Sequence, residues 1–328
     1  MTDRIDFTLS FLSRLGMRSP VLGWFLILGA VVAGAYGALA LWIGLTQGQH
    51  IFFPEREWKE KPEDRGYAYE TLKIPVPRTT ERDKSANLHG WWVPHPSRSG
   101  QPQTAPGPVV LFFHGNTGTL ADNLHRVAGF HQLGLDVVLF DYRGYGHSTP
   151  TPPREDWVYA DADAVVEYLV QQRQVDPRQM LVYGHSLGGA IAVDMAARSP
   201  YCFAGLVVEG SFTSMLAMAH FAQKFTYLPL SWVLWQRFDT LAKVPQLRIP
   251  VLFVHGTADR TVPAEMSERL YHAAPEPKSL ALIPEVDHDI TASPRGEDRQ
   301  ILGEFIGQHL ETSLHCRGQG EQRSHAPQ

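Results

Sequence analysis

Residues 184–188 read Gly-His-Ser-Leu-Gly, a spacing that suits a serine acting as a nucleophile. The apolar run Met180–Tyr183 predicts a strand before the serine, and Leu187–Ala197 predicts a buried helix after it. So sharp a turn from strand to helix strains the backbone at Ser186, and the two glycines supply space that side chains would otherwise fill. The helix amides then face the place where negative charge develops. A glycine-rich turn with an incidental serine is the competing interpretation.

A nucleophilic serine needs a general base within hydrogen-bond reach and an acid that orients the base. In a parallel sheet these groups come from loops at the carboxyl ends of the strands. Asp259 follows the predicted strand Val251–Val254, and His288 follows the predicted strand Ser279–Ile283. The sequence therefore predicts a catalytic triad in which Ser186 is the nucleophile, His288 the base and Asp259 the acid.

Other roles remain open for the acidic residues. Asp259 could instead cap the helix that follows it, and Glu209 is a rival acid at the end of another predicted strand. Asp287 and Asp289 flank His288, which raises the alternative of a metal site. Adjacent residues of an extended loop point in different directions and no second ligand cluster is apparent, so we expect neither a metal nor a cofactor.

The oxyanion that forms during acyl transfer requires two fixed N–H donors. The segment 114–118 (His-Gly-Asn-Thr-Gly) follows the predicted strand Val109–Phe113. A turn there would bring the backbone N–H of Asn116 toward the serine. We therefore expect the backbone N–H groups of Asn116 and Leu187 to form the oxyanion hole.

Five segments occur in order that together resemble one family, at residues 112–118, 141–148, 183–189, 209–214 and 255–263. The chain resembles the α/β-hydrolase superfamily and, within it, the membrane-anchored abhydrolase-domain branch of serine hydrolases. The resemblance implies the fold, the triad and the hydrolysis of an ester, thioester or amide. Members of this branch include acyl-protein thioesterases, lipases and peptidase-like enzymes. The chain departs from the family pattern where Asp289, rather than the common Asn, follows the histidine.

Buried strands alternate with helices from Val109 onward, which predicts a mostly parallel, doubly wound sheet covered on both faces. The segments 69–76 and 88–93 predict an antiparallel hairpin at the edge of this sheet. Residues 211–248 are rich in aromatic side chains and too long for an ordinary connection. We expect them to form a short helical lid. The predicted fold is therefore the α/β-hydrolase fold, preceded by one transmembrane helix.

Residues 21–45 are almost wholly apolar, and no Lys, Arg, Asp or Glu occurs between Arg18 and Glu55. A helix of this length is about 37 Å long, enough to cross a bilayer with some tilt. A cleaved signal peptide and a buried core helix are the alternatives. Arg14 and Arg18 precede the segment, which favours a cytoplasmic N-terminus and a hydrolase domain on the opposite side.

Composition and length set the remaining limits. The chain has 328 residues, 44% of them hydrophobic, and a net charge of −5 that gives no reason to expect nucleic acid as a partner. Its two cysteines predict no disulfide framework. The predicted organisation is listed in chain order: a short segment 1–20, an anchor 21–45, a connector 46–66, a hydrolase domain 67–312 and a disordered tail 313–328.

The function expected from these observations is that of a membrane-anchored serine hydrolase. It would cleave an acyl ester or thioester through an acyl-enzyme, as an esterase, thioesterase or lipase does. The expected partners are a small lipophilic acyl substrate or an acylated peptide, together with the lipid bilayer; the oligomeric state is not predicted. A serine peptidase of the same fold and a non-catalytic binding protein are the alternative functions.

Overall fold

The computed structural model describes residues 20–77, 85–98, 107–292 and 296–310. The predicted tail 313–328, and the predicted N-terminal segment up to residue 19, lie outside these residues. The chain divides into two compact units. The first contains the described part of residues 1–47 together with Phe225–Trp235, and the second, the hydrolase unit, contains the other residues.

The hydrolase unit is built on an eight-stranded sheet. Its strands are β1 (Glu70–Val76), β2 (Ala86–Val93), β3 (Val109–Phe113), β4 (Asp136–Asp141), β5 (Met180–His185), β6 (Gly205–Glu209), β7 (Val251–Gly256) and β8 (Lys278–Ile283). Their order across the sheet is β8-β7-β6-β5-β3-β4-β2-β1. Strands β3 to β8 pair in parallel, and β2 pairs antiparallel with both β1 and β4. The predicted fold class, a mostly parallel sheet with an antiparallel hairpin at one edge, is confirmed.

Helices cover both faces of this sheet. In the hydrolase unit the longer ones are α2 (Val127–Gln132), α3 (Glu155–Glu167), α4 (Leu187–Arg198), α5 (Met215–Phe221), α6 (Glu265–Ala273) and α7 (Glu297–Leu310). Short helical turns occupy Gly48–Ile51, Pro62–Arg65, Pro96–Arg98, Leu120–Arg126, Tyr168–Gln172, Pro177–Gln179, Thr240–Lys243, Val244–Gln246 and Ile290–Ala292. Along β3, Val109, Leu111 and Phe113 belong to one core cluster and Val110 and Phe112 to the other. A strand buried on both faces requires this uninterrupted apolar run.

From Gly48 onward, the predicted connector 46–66 belongs to the hydrolase unit and is joined to it by backbone pairing. Phe53–Pro54 forms a short parallel pair with Thr117–Gly118, in the loop that follows β3. Farther along, the Trp58 indole N–H donates to Asp141 Oδ2 at 3.2 Å. These bonds fasten the connector to the loops at the carboxyl ends of β3 and β4.

The first unit contains the apolar helix α1 (Pro20–Thr46). By length and composition α1 can cross a membrane, and only 6% of its most apolar window is buried. This exposure excludes the alternative of a buried core helix. A signal sequence near the N-terminus can also be this long and apolar, so the membrane role of α1 belongs with the proposals below.

Cys202, which lies just before β6, is half-buried and disulfide-bonded. The sequence predicted no disulfide framework, and the other cysteine, Cys316, lies outside the described residues.

Candidate active site

Ser186 sits at a strained turn between β5 and α4. Its φ of 55° and ψ of −119° lie in a region that residues other than glycine rarely adopt, at a cost of about 1–3 kcal/mol. A Cβ on Gly184 would overlap the carbonyl of Gly188, and a Cβ on Gly188 would overlap the carbonyl of Phe113. Both glycines of the motif are therefore required by close backbone packing.

Hydrogen bonds from the next strand hold the Ser186 backbone in this conformation. The Ser186 N–H donates to the carbonyl of Glu209 at 2.8 Å, and the Ser211 hydroxyl donates to the Ser186 carbonyl at 2.8 Å. Both partners lie at or just after the end of β6. The loop after β6 thus fixes the turn that presents the serine.

Asp259 and His288 are brought together from the loops after β7 and β8. His288 Nδ1 lies 2.7 Å from Asp259 Oδ2, while the other carboxylate oxygen accepts from the N–H groups of Thr261 and Val262. Burial raises the pKa of the Asp259 carboxyl, but hydrogen bonds from His255, His288 and the Val262 N–H outweigh it and hold the pKa well below its usual range. An ionised carboxylate is only an acceptor, so Nδ1 of His288 carries the proton and Nε2 is the basic nitrogen.

His255 is a second histidine on Asp259, and its role could not be predicted from the sequence. Its fully buried ring places Nε2 3.0 Å from Asp259 Oδ2 and 2.9 Å from the Val262 carbonyl. Nδ1 lies 2.7 Å from the Ser267 hydroxyl. Because Nε2 faces two acceptors it carries the proton, and the serine hydroxyl donates to Nδ1. His255 therefore binds the same carboxylate oxygen as His288 and helps to fix its position.

Two contacts place His288 beside the serine turn. His185, the residue before the serine, has Nε2 3.3 Å from the His288 carbonyl. A Cβ on Gly210 would lie 3.4 Å from Cε1 of the His288 ring. Gly210 directly follows Glu209, whose carbonyl accepts from Ser186. The structure thus gathers the three residues predicted as a triad at the carboxyl ends of β5, β7 and β8.

The loop predicted to supply one oxyanion donor lies against Ser186. A Cβ on Gly115 would be 3.6 Å from Ser186 Cβ. The Asn116 carbonyl accepts from the Phe53 N–H and from the Tyr145 hydroxyl, each at 2.8 Å, and its side-chain amide donates to the Ile51 carbonyl at 2.7 Å. These bonds fix the loop from the side of the connector.

Leu187 is the first residue of α4, so its N–H is one of the helix-start amides that have no partner inside the helix. It follows the strained serine directly. The positive end of the helix dipole lies at the same point. The two predicted donors, at Leu187 and Asn116, thus belong to the two segments that flank the serine side chain.

Glu209, the rival acid, is part of a buried ion-pair network. Its carboxylate makes two bonds to the Arg126 guanidinium, at 2.6 and 3.2 Å, and also accepts from the Tyr183 hydroxyl and the Ile290 N–H. Burial raises the pKa of Glu209, but the charge of Arg126 offsets this and leaves it below its ordinary value. Arg126 also binds Asp289 at 2.9 Å. Glu209 is therefore bound to Arg126 rather than to His288, and it holds the loop that carries His288.

The carboxylates on either side of His288 have protein partners. Asp287 accepts from the N–H groups of Arg260 and His288, and Asp289 pairs with Arg126 and His125. Asp289, which stands where the family commonly has Asn, thus supplies a negative charge that pairs with Arg126. In the parts of the chain that the structure describes, no three His, Cys, Asp or Glu side chains are grouped to hold a metal ion.

A strand–serine–helix turn beside an Asp–His pair, on a mostly parallel sheet, defines a hydrolase of the α/β type. Residues 108–232 match the family model for the alpha/beta hydrolase fold, and residues 233–295 match the model described as serine aminopeptidase S33. The protein Rv2307c of Mycobacterium tuberculosis is 38% identical over 281 residues, which cover 86% of this chain and 93% of that protein. The chain belongs to the α/β-hydrolase superfamily.

Two further comparisons agree with this assignment. The lysophosphatidylserine lipase ABHD12 of Danio rerio is 33% identical over 192 residues, which cover 53% of this chain and 49% of that protein. The crystal structure of the esterase Pf2001 of Pyrococcus furiosus superposes with a TM-score of 0.60 at 20% identity, covering 79% of this chain and 99% of that one. The last comparison shows a shared fold, and the set as a whole supports a hydrolase.

Proposed function

We propose that this chain is a membrane-anchored serine hydrolase that cleaves an acyl ester or thioester through Ser186, His288 and Asp259. The observation that carries the proposal is the strained serine turn, with φ of 55°, beside a histidine held 2.7 Å from a buried carboxylate. Strain of this kind is retained where the surrounding structure fixes it, and it occurs preferentially at active sites. An incidental serine would gain nothing from it.

In the proposed mechanism, Ser186 Oγ attacks the acyl carbonyl carbon while Nε2 of His288 takes the hydroxyl proton. The carbonyl oxygen becomes an oxyanion that accepts from the N–H groups of Leu187 and Asn116. When the tetrahedral intermediate collapses, His288 returns the proton to the leaving alcohol or thiol, and the acyl group stays on the serine. Water then attacks the acyl-enzyme with the same base, which releases the carboxylic acid and restores Ser186.

Asp259 holds the proton on Nδ1 of His288, so that Nε2 is free to act as the base. Its carboxylate stays ionised because hydrogen bonds outweigh the effect of burial, and its charge stabilises the imidazolium formed at each transfer. No step of this scheme uses a metal or a cofactor.

We further propose that α1 anchors the protein in a membrane and that the substrate is lipophilic. The exposed apolar surface of α1 supports the anchor, because such a surface in water would be costly. Arg14 and Arg18 before the helix support a cytoplasmic N-terminus with the hydrolase unit on the other side. Protease added to sealed membrane vesicles of known orientation tests this topology.

Amide cleavage is the second candidate reaction. The match of residues 233–295, which include Asp259 and His288, to the serine aminopeptidase model favours it. A panel of acyl esters, acyl thioesters and acyl-peptides, tested on the detergent-solubilised full chain, separates the two. We expect ester and thioester turnover that increases with acyl chain length, and none for Ser186→Ala. Ser199→Ala, which removes a serine outside the site, is the matched control. Equal turnover by Ser186→Ala would contradict the mechanism.

A further inference from the structure

Phe225–Trp235 lies in the middle of the predicted lid but belongs to the same compact unit as α1. Its sequence, FTYLPLSWVLW, has no charged residue and four aromatic ones. Basic residues, Lys224 and Arg237, flank it closely on its two sides, and both are exposed. An apolar aromatic stretch between two basic residues is the pattern of a segment at a membrane interface.

Hydrogen bonds join this segment to α1 at two levels along the helix. The Tyr36 hydroxyl donates to the Tyr227 carbonyl at 2.7 Å, and the Trp235 indole N–H donates to the Gly44 carbonyl at 2.9 Å. Tyr36 and Gly44 are separated by about 12 Å along the helix axis. The segment therefore runs beside the C-terminal part of α1.

Gln47 fastens the segment at the end of the helix. Its Oε1 accepts from the Trp235 N–H at 3.1 Å, and its Nε2 lies 3.4 Å from the Val233 carbonyl. A Cβ on Gly44 would lie 3.7 Å from Val233, so the two backbones approach closely there. Small residues permit such approaches between membrane-embedded elements.

The backbone of the segment is suited to an environment without water. Backbone N–H groups donate to carbonyl oxygens inside the segment at Leu228, Leu230, Trp232, Val233 and Leu234. Pro229 has no N–H to satisfy, and the Trp235 N–H is bound by Gln47. Leu230–Val233 is itself a short helical turn. Elsewhere in the segment the backbone is not helical, and such backbone is tolerated at membrane depth only where its polar groups are paired.

Aromatic side chains of the segment nevertheless face outward: Trp232 is 88% exposed and Tyr227 is 61% exposed, whereas Leu228 and Leu230 are buried. On the adjoining helix most of the large apolar side chains are exposed as well, Leu41 and Trp42 among them. Helix and segment thus present one continuous apolar surface, larger than single scattered apolar residues would give.

We propose that Phe225–Trp235 is a second membrane-embedded segment, which lies beside α1 in the leaflet nearer the C-terminal end of that helix. The proposal rests on the proposed anchoring by α1. The 27-residue helix is about 40 Å long, against a hydrocarbon core of about 30 Å. If α1 is centred in the core, Gly44 lies at the boundary and Tyr227, level with Tyr36, lies about 10 Å inside it. The partner of this surface is the acyl-chain region of the bilayer.

Depth-dependent quenching on the full chain tests the proposal. A fluorescent amino acid, acridonylalanine, replaces Trp232 in one variant, Leu28 of α1 in a second and Arg178 of an exposed turn in a third. Each variant is reconstituted into phosphatidylcholine vesicles with doxyl groups at carbon 5 or carbon 12 of the acyl chains. We expect position 232 to be quenched at least threefold more than position 178, and more by the carbon-5 label than by the carbon-12 label.

The outcomes separate the two proposals. Quenching at position 28 with none at position 232 leaves the anchor intact and overturns the membrane-embedded segment. No quenching at either position overturns both. A third outcome also overturns the proposal: position 232 is protected from aqueous iodide but is not quenched by the doxyl lipids. The surface would then be covered by a second copy of the chain rather than by acyl chains. A further variant, Tyr36→Phe, is expected to reduce the quenching at position 232 at least twofold, since it removes the hydroxyl that binds the Tyr227 carbonyl.

Discussion

The buried pair Arg126–Glu209 gives a quantitative prediction, because it joins the serine turn to the loop that carries His288. The Glu209 carbonyl binds the Ser186 N–H, and its carboxylate binds Arg126 and the Ile290 N–H. The side chains of Arg126 and Glu209 are 2% and 0% exposed. Replacing Arg126 leaves the Glu209 carboxylate without its counter-charge in a site from which water is excluded.

We expect Arg126→Met to lower the free energy of unfolding by about 3–5 kcal/mol, the usual cost of breaking a buried pair. That loss corresponds to a decrease in the melting temperature of roughly 6–20 °C. Glu209→Gln should cost less, because Arg126 keeps its bond to Asp289. The double variant Arg126→Met with Glu209→Gln should lose less unfolding free energy than the two single variants lose together. We expect the difference to be at least about 1 kcal/mol, since neither charge of the pair remains.

Thermal unfolding of the detergent-solubilised full chain, followed by tryptophan fluorescence, measures these values for the wild type and the three variants. Arg178→Met, which breaks an exposed pair with Asp176, is the matched control and should change stability by less than about 1 kcal/mol. If the losses of unfolding free energy in the two single variants simply add in the double variant, the coupling between Arg126 and Glu209 is refuted. An Arg126→Met protein as stable as the wild type would refute the importance of the pair.

Three further perturbations test other parts of the site. His255→Asn should lower kcat about 10- to 100-fold with little change in KM, because Asp259 loses the donor that positions it; a changed KM at constant kcat in ester assays would contradict this. Phe53→Pro removes the N–H that binds the Asn116 carbonyl and should lower kcat about tenfold in the same assays, whereas Phe53→Leu should not. Burial lowers the pKa of His185 to about 4, so between pH 6.5 and 4 the unfolded chain binds a proton that the folded chain does not. The neutral His185 ring therefore makes its full contribution to the free energy of unfolding above pH 6.5. This contribution falls by up to about 3 kcal/mol as the pH decreases to 4. Melting temperatures of His185→Gln should decline less than those of the wild type over this range, and parallel declines would contradict the assignment.

The elements of the sheet were predictable because their signals are local. The strand Val109–Phe113 has the predicted bounds, since it is a continuous apolar run that ends at a turn. The alternation of strands and helices predicts a helix after this strand, but the chain there begins with the tighter turn Leu120–Arg126. There Thr119 and Asp122 bind each other's backbone, a cap that favours a tight first turn.

The supporting contacts of the site were not predictable, because they join residues far apart in sequence. Glu209 is visible in the sequence as an acid at a strand end, but its partner Arg126 precedes it by 83 positions. His255 reads as part of a turn, and only the folded loop shows that it binds Asp259. Residues 225–235 were predicted as part of a lid, whereas the pairing of this segment with α1 depends on contacts across 191 positions.

The most direct test of the central claim is covalent labelling of the full chain with a fluorophosphonate, which reacts with an activated serine. We expect one adduct per chain, located at Ser186 by peptide mass spectrometry. Labelling should be lost in Ser186→Ala and slowed at least 100-fold in His288→Ala, because the base is missing. An unlabelled wild-type protein, or a Ser186 adduct that forms equally fast without His288, would contradict the proposed function.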